Sequence, residues 1–231
     1  MIPLRDSTRS HTFPIVNVTL IAVNLVVWIY TLMLTPRQAL AVLLQYGFVP
    51  ASLVGVNWAA PAEALPGLVV PLVAAMFLHG GWMHVLGNMV YLWVFGDNVE
   101  DRLGHWRYLA FYLLCGVAAS LGHALANPLS DRPVVGASGA VAGVLGAYLV
   151  SFPRARILAL VPLGFFLHLA EVPAVFFLLV WLVLQLVNGI GALVGVSEVG
   201  QLVAWWAHVG GFLAGVILAP MLRLRSAQER R

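Results

Sequence analysis

Six long hydrophobic stretches constrain the fold of this chain more than any other feature. About 20 consecutive apolar residues are enough to cross the hydrocarbon core of a bilayer as a helix. Because 61% of the residues are hydrophobic and only 9% are charged, a soluble domain could not solvate the resulting surface. The sequence therefore predicts an all-α polytopic membrane protein with six transmembrane helices. We place them near residues 14–34, 83–102, 107–126, 136–152, 172–190 and 201–222.

The predicted spans leave two short tails, residues 1–13 and 223–231, on either side of a single membrane domain at 14–222. The first span is too long for a signal peptide, and no small-x-small cleavage site directly follows it. We therefore expect an uncleaved anchor.

Two segments between the spans need separate interpretations. The segment 157–170 is apolar but short, and it carries Pro162 and Gly164. It is either the first half of a broken fifth span or an interfacial segment, and we favour the second. The outer segment, about 35–75, is too rich in proline for a further span. We expect an amphipathic loop that dips into the outer leaflet with Trp58 at the headgroups, an ordinary outer loop being the alternative.

The arginines predict the orientation of the chain. All twelve basic residues are arginine. With the amino terminus in the cytoplasm, only Arg37 and Arg132 face outward and the other ten face inward, as the positive-inside rule requires. Both termini are therefore predicted to be cytoplasmic. The lack of an organelle-type presequence favours the plasma membrane of a bacterium or archaeon, and we expect a bacterial inner membrane.

Several other classes are excluded by the same sequence. The formal net charge of +3 comes from arginines outside the apolar runs, so it does not indicate nucleic-acid binding. Cys115 is the only cysteine, which excludes an intrachain disulfide. No HExxH motif occurs and no two histidines are four residues apart, which argues against a zinc site. The segment 136–140 lacks the final glycine of a GxSxG elbow, which excludes an α/β-hydrolase.

Four polar side chains on three separate segments are predicted to lie at a similar depth beneath the outer surface. Ser138 begins the fourth span from the outer side, and His208 lies roughly two turns into the sixth from the same side. His84 and Asn88 open the second span and share one helix face. Polar groups are costly in hydrocarbon unless they find partners or face a cavity. Each of the four is therefore a candidate functional residue.

Pairs of small residues show how these side chains could meet. Gly139 and Gly143 form one small-xxx-small pair, and Gly211 and Gly215 form another. Such pairs let helix backbones approach closely in lipid. If the fourth and sixth spans pack through them, the serine and the histidine come within side-chain reach. For the glycines alone, a plain packing motif is the alternative.

These residue types predict a nucleophile and its base. A serine hydroxyl needs a neighbouring base to take its proton, and histidine is the usual base near neutral pH. The backbone N–H of Ser138, with His84 and Asn88, could stabilise the oxyanion. Every Asp and Glu lies in a loop, at a span end or in a tail, so we predict a Ser–His dyad rather than a triad. His79 could cap the second span or line the site.

Three motifs, in this order along the chain, resemble those of the rhomboid intramembrane serine proteases. His79-Gly80-Gly81-Trp82-Met83-His84-Val85-Leu86-Gly87-Asn88 resembles their second-span HxxxN signature. Gly136-Ala137-Ser138-Gly139 resembles their GxSG motif, and Ala207-His208-Val209-Gly210-Gly211 resembles their catalytic-histidine helix. The resemblance covers about residues 75 to 220.

The resemblance implies roles for the candidate residues. Ser138 would be the nucleophile and His208 the general base. His84, Asn88 and the Ser138 amide would form the oxyanion hole, and Gly136 would let the backbone approach the substrate. The fold would be a six-helix rhomboid-like bundle with a water-filled cavity that opens outward.

The resemblance also implies the partners of the chain. They would be the lipid bilayer and single-span membrane proteins, which are cut in or near their transmembrane segments without a metal or cofactor. The oligomeric state is not indicated. Two other classes are alternatives. One is a rhomboid-like protein that binds membrane helices without cleaving them, as a chaperone or sorting factor. The other is a small transporter, which the lack of internal repeats and mid-membrane charges disfavours.

Two positions depart from the family pattern. Residues 69–73 stand where a Trp-Arg pair often precedes the second span, which puts the anchoring of the outer loop in doubt. Ala142 stands where an aromatic ring often stacks on the catalytic histidine, so other packing would have to orient His208. Neither change removes a catalytic group.

Overall fold

The computed structural model describes residues 1–56, 61–163, 166–195 and 203–222. Its helices are α1 (Ile15–Leu32), α2 (Pro36–Tyr46), α3 (Pro61–Ala74), α4 (Trp82–Leu103), α5 (His105–Ala126), α6 (Ser138–Ser151), α7 (Ala174–Leu193) and α8 (Trp205–Leu222). One small antiparallel sheet contains β1 (Ile2–Asp6), β2 (Arg156–Leu163) and β3 (Phe166–Pro173). The predictions for Trp58, Gly164 and the tail 223–231 lie outside the described residues.

Six of these helices correspond to the six predicted spans, and the predicted helical membrane fold is confirmed. By length and composition, α1, α5, α7 and α8 can each cross a bilayer. Helix α4 is apolar enough only together with Leu65–Phe77, from which it is bent by 84°. Helix α6 has only 14 residues. At 1.5 Å per residue it is about 21 Å long, shorter than the roughly 30 Å hydrocarbon core.

Helix α6 forms the centre of the bundle and packs chiefly on α8. Ten successive residues, from Gly139 to Tyr148, are buried. Glycines allow the two backbones to approach each other, since a Cβ at Gly215 would meet the carbonyl oxygen of Gly143. A Cβ at Gly146 would likewise meet the carbonyl oxygen of Phe212. The predicted glycine contact between the fourth and sixth spans is therefore present, and Gly146 extends it.

The amino-terminal segment and several helix ends meet at one end of the bundle. The backbone N–H and the hydroxyl of Thr12 donate to Asp101, at the end of α4, at 3.0 and 2.6 Å. Arg107, at the start of α5, donates to the carbonyl of Leu222, at the end of α8, at 3.4 Å. Strand β1 pairs with β2, which follows α6. The six helices therefore alternate in direction, and Ser138 begins α6 at the opposite end.

The end of α4 contains charged residues, and one of them, Glu100, binds the start of α1. Its side chain is fully buried, and it accepts the backbone N–H groups of Val16 and Asn17 at 3.0 and 2.7 Å. These groups belong to the first turn of α1, where N–H groups lack intrahelical acceptors and the helix dipole favours a negative charge. Glu100 therefore fixes the start of the first span against the end of the second.

The described part of the predicted outer loop is largely helical and shares a small buried cluster with α5. Helix α2 begins with a capping box between Thr35 and Gln38. Leu72 is buried and belongs to the 69–73 stretch that replaces the Trp-Arg pair. Apolar packing therefore anchors this segment. The buried cluster consists of Phe48, Leu68, Leu72, Ala75 and Ala124.

The described residues of the segment 157–170, which are 157–163 and 166–170, form strands and not half of a helical span. They make up most of an antiparallel hairpin, β2–β3, whose base pairs Arg156 with Pro173. Pro162 disfavours a helix through this run because it lacks an N–H donor, whereas β1 supplies a partner for β2. The broken-span alternative is therefore wrong. The interfacial position of the segment stays a prediction.

Candidate active site

A sharp backbone turn at Gly136 precedes Ser138, which is the first residue of α6. Gly136 has a φ of +122°, which side-chain-bearing residues rarely adopt. Its N–H donates to the carbonyl of Ala75 at 2.8 Å. Two backbone hydrogen bonds between Phe48 and Val134, of 3.0 and 2.7 Å, hold the preceding segment. The turn is thus tied to the outer segment at its glycine and at Val134, two residues before it.

The predicted serine and histidine lie in hydrogen-bond contact. Nε2 of His208 is 2.8 Å from Oγ of Ser138. The two residues come from different helices, α6 and α8, whose glycine-lined contact brings the backbones together. This distance lies within the range in which an imidazole can take the proton of a hydroxyl.

The imidazole of His208 has further partners that the sequence did not predict. Its Nδ1 lies 2.8 Å from Oε1 of Gln185 on α7. The rings of Trp181 and Trp205 approach it with centroid distances of 5.9 and 6.0 Å. These two rings surround the histidine from α7 and α8, so the aromatic contact absent at Ala142 is supplied by other helices.

The predicted oxyanion residues lie next to the turn and next to one another. A Cβ at Gly136 would collide with the imidazole of His84, so glycine allows that ring to lie against the turn. Nδ2 of Asn88 donates to Nε2 of His79 at 3.0 Å. The rings of His79 and His84 are 5.1 Å apart. His79 therefore lines the site and contacts both of its neighbours on α4.

A small cavity adjoins Ser138 between α5, α6 and α8. Most of its wall consists of alanine and glycine, with Met76 as the longest side chain. The backbone N–H of Ser138 lies at the first position of α6, where helix geometry provides no intrahelical acceptor. A carbonyl group held at this end of the helix would therefore meet both a hydroxyl and an unused donor.

The sequence could not show that Gln185 belongs to the site, although its polarity within an apolar span marked it as a candidate. It is a polar residue within a predicted span, which is the same signal that identified Ser138 and His208. Asn188, on the same span, carries an equal signal, yet it is exposed and donates to the carbonyl of Leu184. Because α7 is apolar on all sides, periodicity does not show which amide faces the bundle.

Comparison with known proteins gives the family. The Rhomboid domain family model matches residues 66–225. RHOMBOID-like protein 5 of Arabidopsis thaliana is 33% identical over 154 residues, covering 67% of this chain and 44% of that protein. Rhomboid-like protease 5 of Toxoplasma gondii is 37% identical over 155 residues, covering 65% of this chain and 16% of that protein. Human presenilin-associated rhomboid-like protein, mitochondrial, is 28% identical over 156 residues, covering 64% of this chain and 37% of that protein.

The match therefore spans less than half the length of each of these relatives. It covers well over half of this chain, however, and the matched range contains all three motifs and the Ser138–His208 contact. The chain belongs to the rhomboid family.

Proposed function

We propose that this chain is an intramembrane serine endopeptidase. It would hydrolyse peptide bonds in or near the transmembrane segments of single-span membrane proteins. The observation that carries this proposal is the 2.8 Å contact between Ser138 Oγ and His208 Nε2 inside a helical membrane bundle. A serine with such a base is an activated nucleophile for acyl transfer.

The first chemical step forms an acyl-enzyme. Ser138 Oγ attacks the scissile carbonyl carbon while its proton passes to Nε2 of His208. The carbonyl oxygen becomes an oxyanion, which accepts hydrogen bonds from the Ser138 N–H and from the side chains of His84 and Asn88. When the tetrahedral intermediate collapses, the C–N bond breaks and His208 returns the proton to the leaving amine.

The second step releases the acyl group. A water molecule gives a proton to His208 and attacks the ester carbonyl through the same oxyanion contacts. The ester bond then breaks, and the proton returns to Ser138. Gly136 leaves room for the imidazole of His84 beside the reacting atoms, since a Cβ there would collide with that ring.

The geometry favours particular substrates. A membrane helix hides its backbone in its own hydrogen bonds, so a cleavable segment must contain residues that weaken the helix, such as Gly, Pro or polar side chains. The small-residue wall of the cavity beside Ser138 fits a small side chain at the cut. Stiffening such a substrate with leucines should slow its cleavage.

We also propose a location for the chain. Both termini would be cytoplasmic in a bacterial inner membrane, with tails at 1–13 and 223–231 around the domain at 14–222. Ten of the twelve arginines fall on one side in this arrangement. The alternating helix directions and the β1–β2 pairing support placing the amino terminus and the α6–α7 connection on the same face.

A fluorophosphonate probe tests the active serine without a known substrate. We expect the detergent-solubilised protein to be labelled, and Ser138→Ala and His208→Ala to lose the label. Ser151→Ala, at the other end of α6, is the matched control and should keep it. A single-span protein with a helix-weakened segment, reconstituted with each variant, should be cut by the parent and by Ser151→Ala alone.

The outcomes separate two functions. Cleavage by the parent and none by Ser138→Ala supports the endopeptidase. A parent that is neither labelled nor able to cut the reconstituted protein, but still binds it, would overturn the proposal. The chain would then be a rhomboid-like protein that binds membrane helices as a chaperone or sorting factor.

A further inference from the structure

We infer that Gln185 is the positioning residue of this active site, holding His208 in the tautomer that can act as a base. The inference rests on the proposed function, because it assigns a role in the same proton transfer. It concerns a residue on α7, a helix that contributes none of the three sequence motifs. The contact that carries it is the 2.8 Å approach of Gln185 Oε1 to His208 Nδ1.

The orientation of the Gln185 amide follows from its second contact. Its Nε2 donates to the carbonyl oxygen of Trp181 at 3.0 Å. A carbonyl can only accept, so the nitrogen end of the amide must face Trp181 and the oxygen end must face His208. An amide oxygen can only accept as well. Nδ1 of His208 must therefore carry a proton.

This proton decides the chemistry at the other ring nitrogen. A neutral imidazole with a proton on Nδ1 has an unprotonated Nε2. Nε2 is the atom 2.8 Å from Ser138 Oγ, and in this tautomer it can accept the hydroxyl proton. In the opposite tautomer Nε2 would donate to Ser138, and the serine would have no base. Gln185 thus selects the productive form.

The surroundings argue against a merely structural role for this amide. Gln185 is 7% exposed within a mostly apolar helix, where an unpaired amide would be costly. Both amides donate to the carbonyl four residues earlier, but Asn188 is exposed whereas the oxygen of buried Gln185 reaches His208. Trp181 lies one turn before Gln185 on the same face of α7 and also contacts the His208 ring. Two successive turns of α7 therefore meet the imidazole.

A neutral amide occupies the place that an acid fills in a catalytic triad. It can hold the tautomer and the ring direction, but it carries no charge to stabilise the imidazolium formed during catalysis. Replacing it with a carboxylate should therefore change the pH dependence of the reaction, whereas a residue that only fills space would not. This difference gives the inference a specific readout.

Three variants test the role. Gln185→Met keeps the approximate volume but removes the acceptor, and we expect kcat to fall roughly 10- to 100-fold with KM nearly unchanged. Gln185→Glu should retain activity and move the acid limb of the kcat/KM profile to higher pH by about one unit, because the carboxylate stabilises protonated His208. Asn188→Met is the matched control and should behave like the parent.

The measurements are steady-state cleavage of the reconstituted single-span protein from pH 5 to 9 and the rate of fluorophosphonate labelling. Thermal unfolding of each variant shows that it folds. The inference fails if Gln185→Met keeps the kcat and labelling rate of the parent. It also fails if Gln185→Glu leaves the pH profile unmoved. Those results would leave the proposed function intact, since that function fails only if the parent itself neither labels nor cleaves through Ser138.

Discussion

The side-chain nitrogen of Asn88 in α4 donates to Nε2 of His79, which lies just before that helix, across 3.0 Å. An amide nitrogen carries two hydrogens, so one can bind His79 while the other stays available to an oxyanion. Both side chains are buried, at 8% and 3% exposure. His79 therefore holds a proposed oxyanion donor in place before any substrate binds.

This contact predicts a coupled effect of two substitutions. Asn88→Ala should lower kcat by roughly 10²- to 10³-fold, as expected for an oxyanion donor. His79→Ala should lower it less, by about tenfold, because the donor remains but is no longer held. The double variant should be no slower than Asn88→Ala alone. Cleavage kinetics on all three variants measure this, and losses that simply multiply would show that the two residues act independently.

The close contact between α6 and α8 predicts that substituting a glycine within it destabilises the protein, whereas substituting a glycine elsewhere does not. Gly215→Ala places a methyl group against the carbonyl oxygen of Gly143, and we expect a loss of about 1–3 kcal/mol in the free energy of unfolding. Cleavage should also fall, because the spacing of α6 and α8 sets the Ser138–His208 distance. Unfolding can be followed with a thiol-reactive dye, since Cys115 is the only cysteine and is buried.

Gly191→Ala is the matched control for that experiment. Its added methyl group would meet nothing within 4 Å, and alanine favours a helix over glycine by up to about 1 kcal/mol. We expect its unfolding temperature to equal or exceed that of the parent. Equal destabilisation by both substitutions would show that glycine content in general, and not the α6–α8 contact, controls stability.

The sequence predicted the parts of this site that arise from local chemistry. Ser138 and His208 were recognisable because polar side chains are rare in apolar spans, and the glycine pairs indicated which spans meet. The helical spans were recognisable because a bilayer requires long apolar runs. The lengths of these runs, however, did not show that α6 has only 14 residues.

The remaining features depend on contacts between distant residues. The hairpin β2–β3 joins a sheet with β1, whose partner residues lie about 150 positions away in the chain. No local pattern indicates such a pairing, and the apolar run alone fits a half-span equally well. Gln185 and Asn188 likewise differ only in what the rest of the bundle places beside them.

Asp6 predicts a pH dependence of stability. Burial raises the pKa of this carboxyl, which accepts hydrogen bonds from Tyr148 and Asn98 and lies near Asp97. The folded chain therefore binds this proton more tightly than the unfolded chain does. The resulting stabilisation is fully present below the unfolded pKa of about 3.9 and is lost as the pH rises through the folded value.

Asp6→Asn should remove this contribution while keeping an oxygen acceptor for Tyr148. We expect the unfolding temperature of the parent to fall, relative to the variant, as the pH is raised from about 4 to neutrality. Intrinsic tryptophan fluorescence at several pH values measures both proteins. Parallel curves would show that the Asp6 carboxyl has the same proton affinity in the folded and unfolded chains.

The tip of the β2–β3 hairpin predicts an interfacial position. Phe166, Leu167 and Leu169 are between 60% and 73% exposed, and the segment 157–170 contains no Asp, Glu, Lys or Arg. Exposed apolar patches of this kind mark contacts with a membrane or a protein. The hairpin joins the end of α6 to the start of α7, so we expect its base at one surface of the bilayer. A lipid leaflet is therefore within its reach.

A fluorophore at the tip would measure this directly. Phe166→Cys, labelled in nanodiscs with an environment-sensitive probe, should emit at shorter wavelength than Arg154→Cys at the exposed base. Brominated lipids should quench the tip label more strongly, because apolar side chains enter the acyl region while arginine stays with the headgroups. The parent should stay unlabelled, since Cys115 is buried. Equal emission and equal quenching at both positions would show that the tip lies in water. Its exposed apolar side chains would then be expected to bind a protein partner.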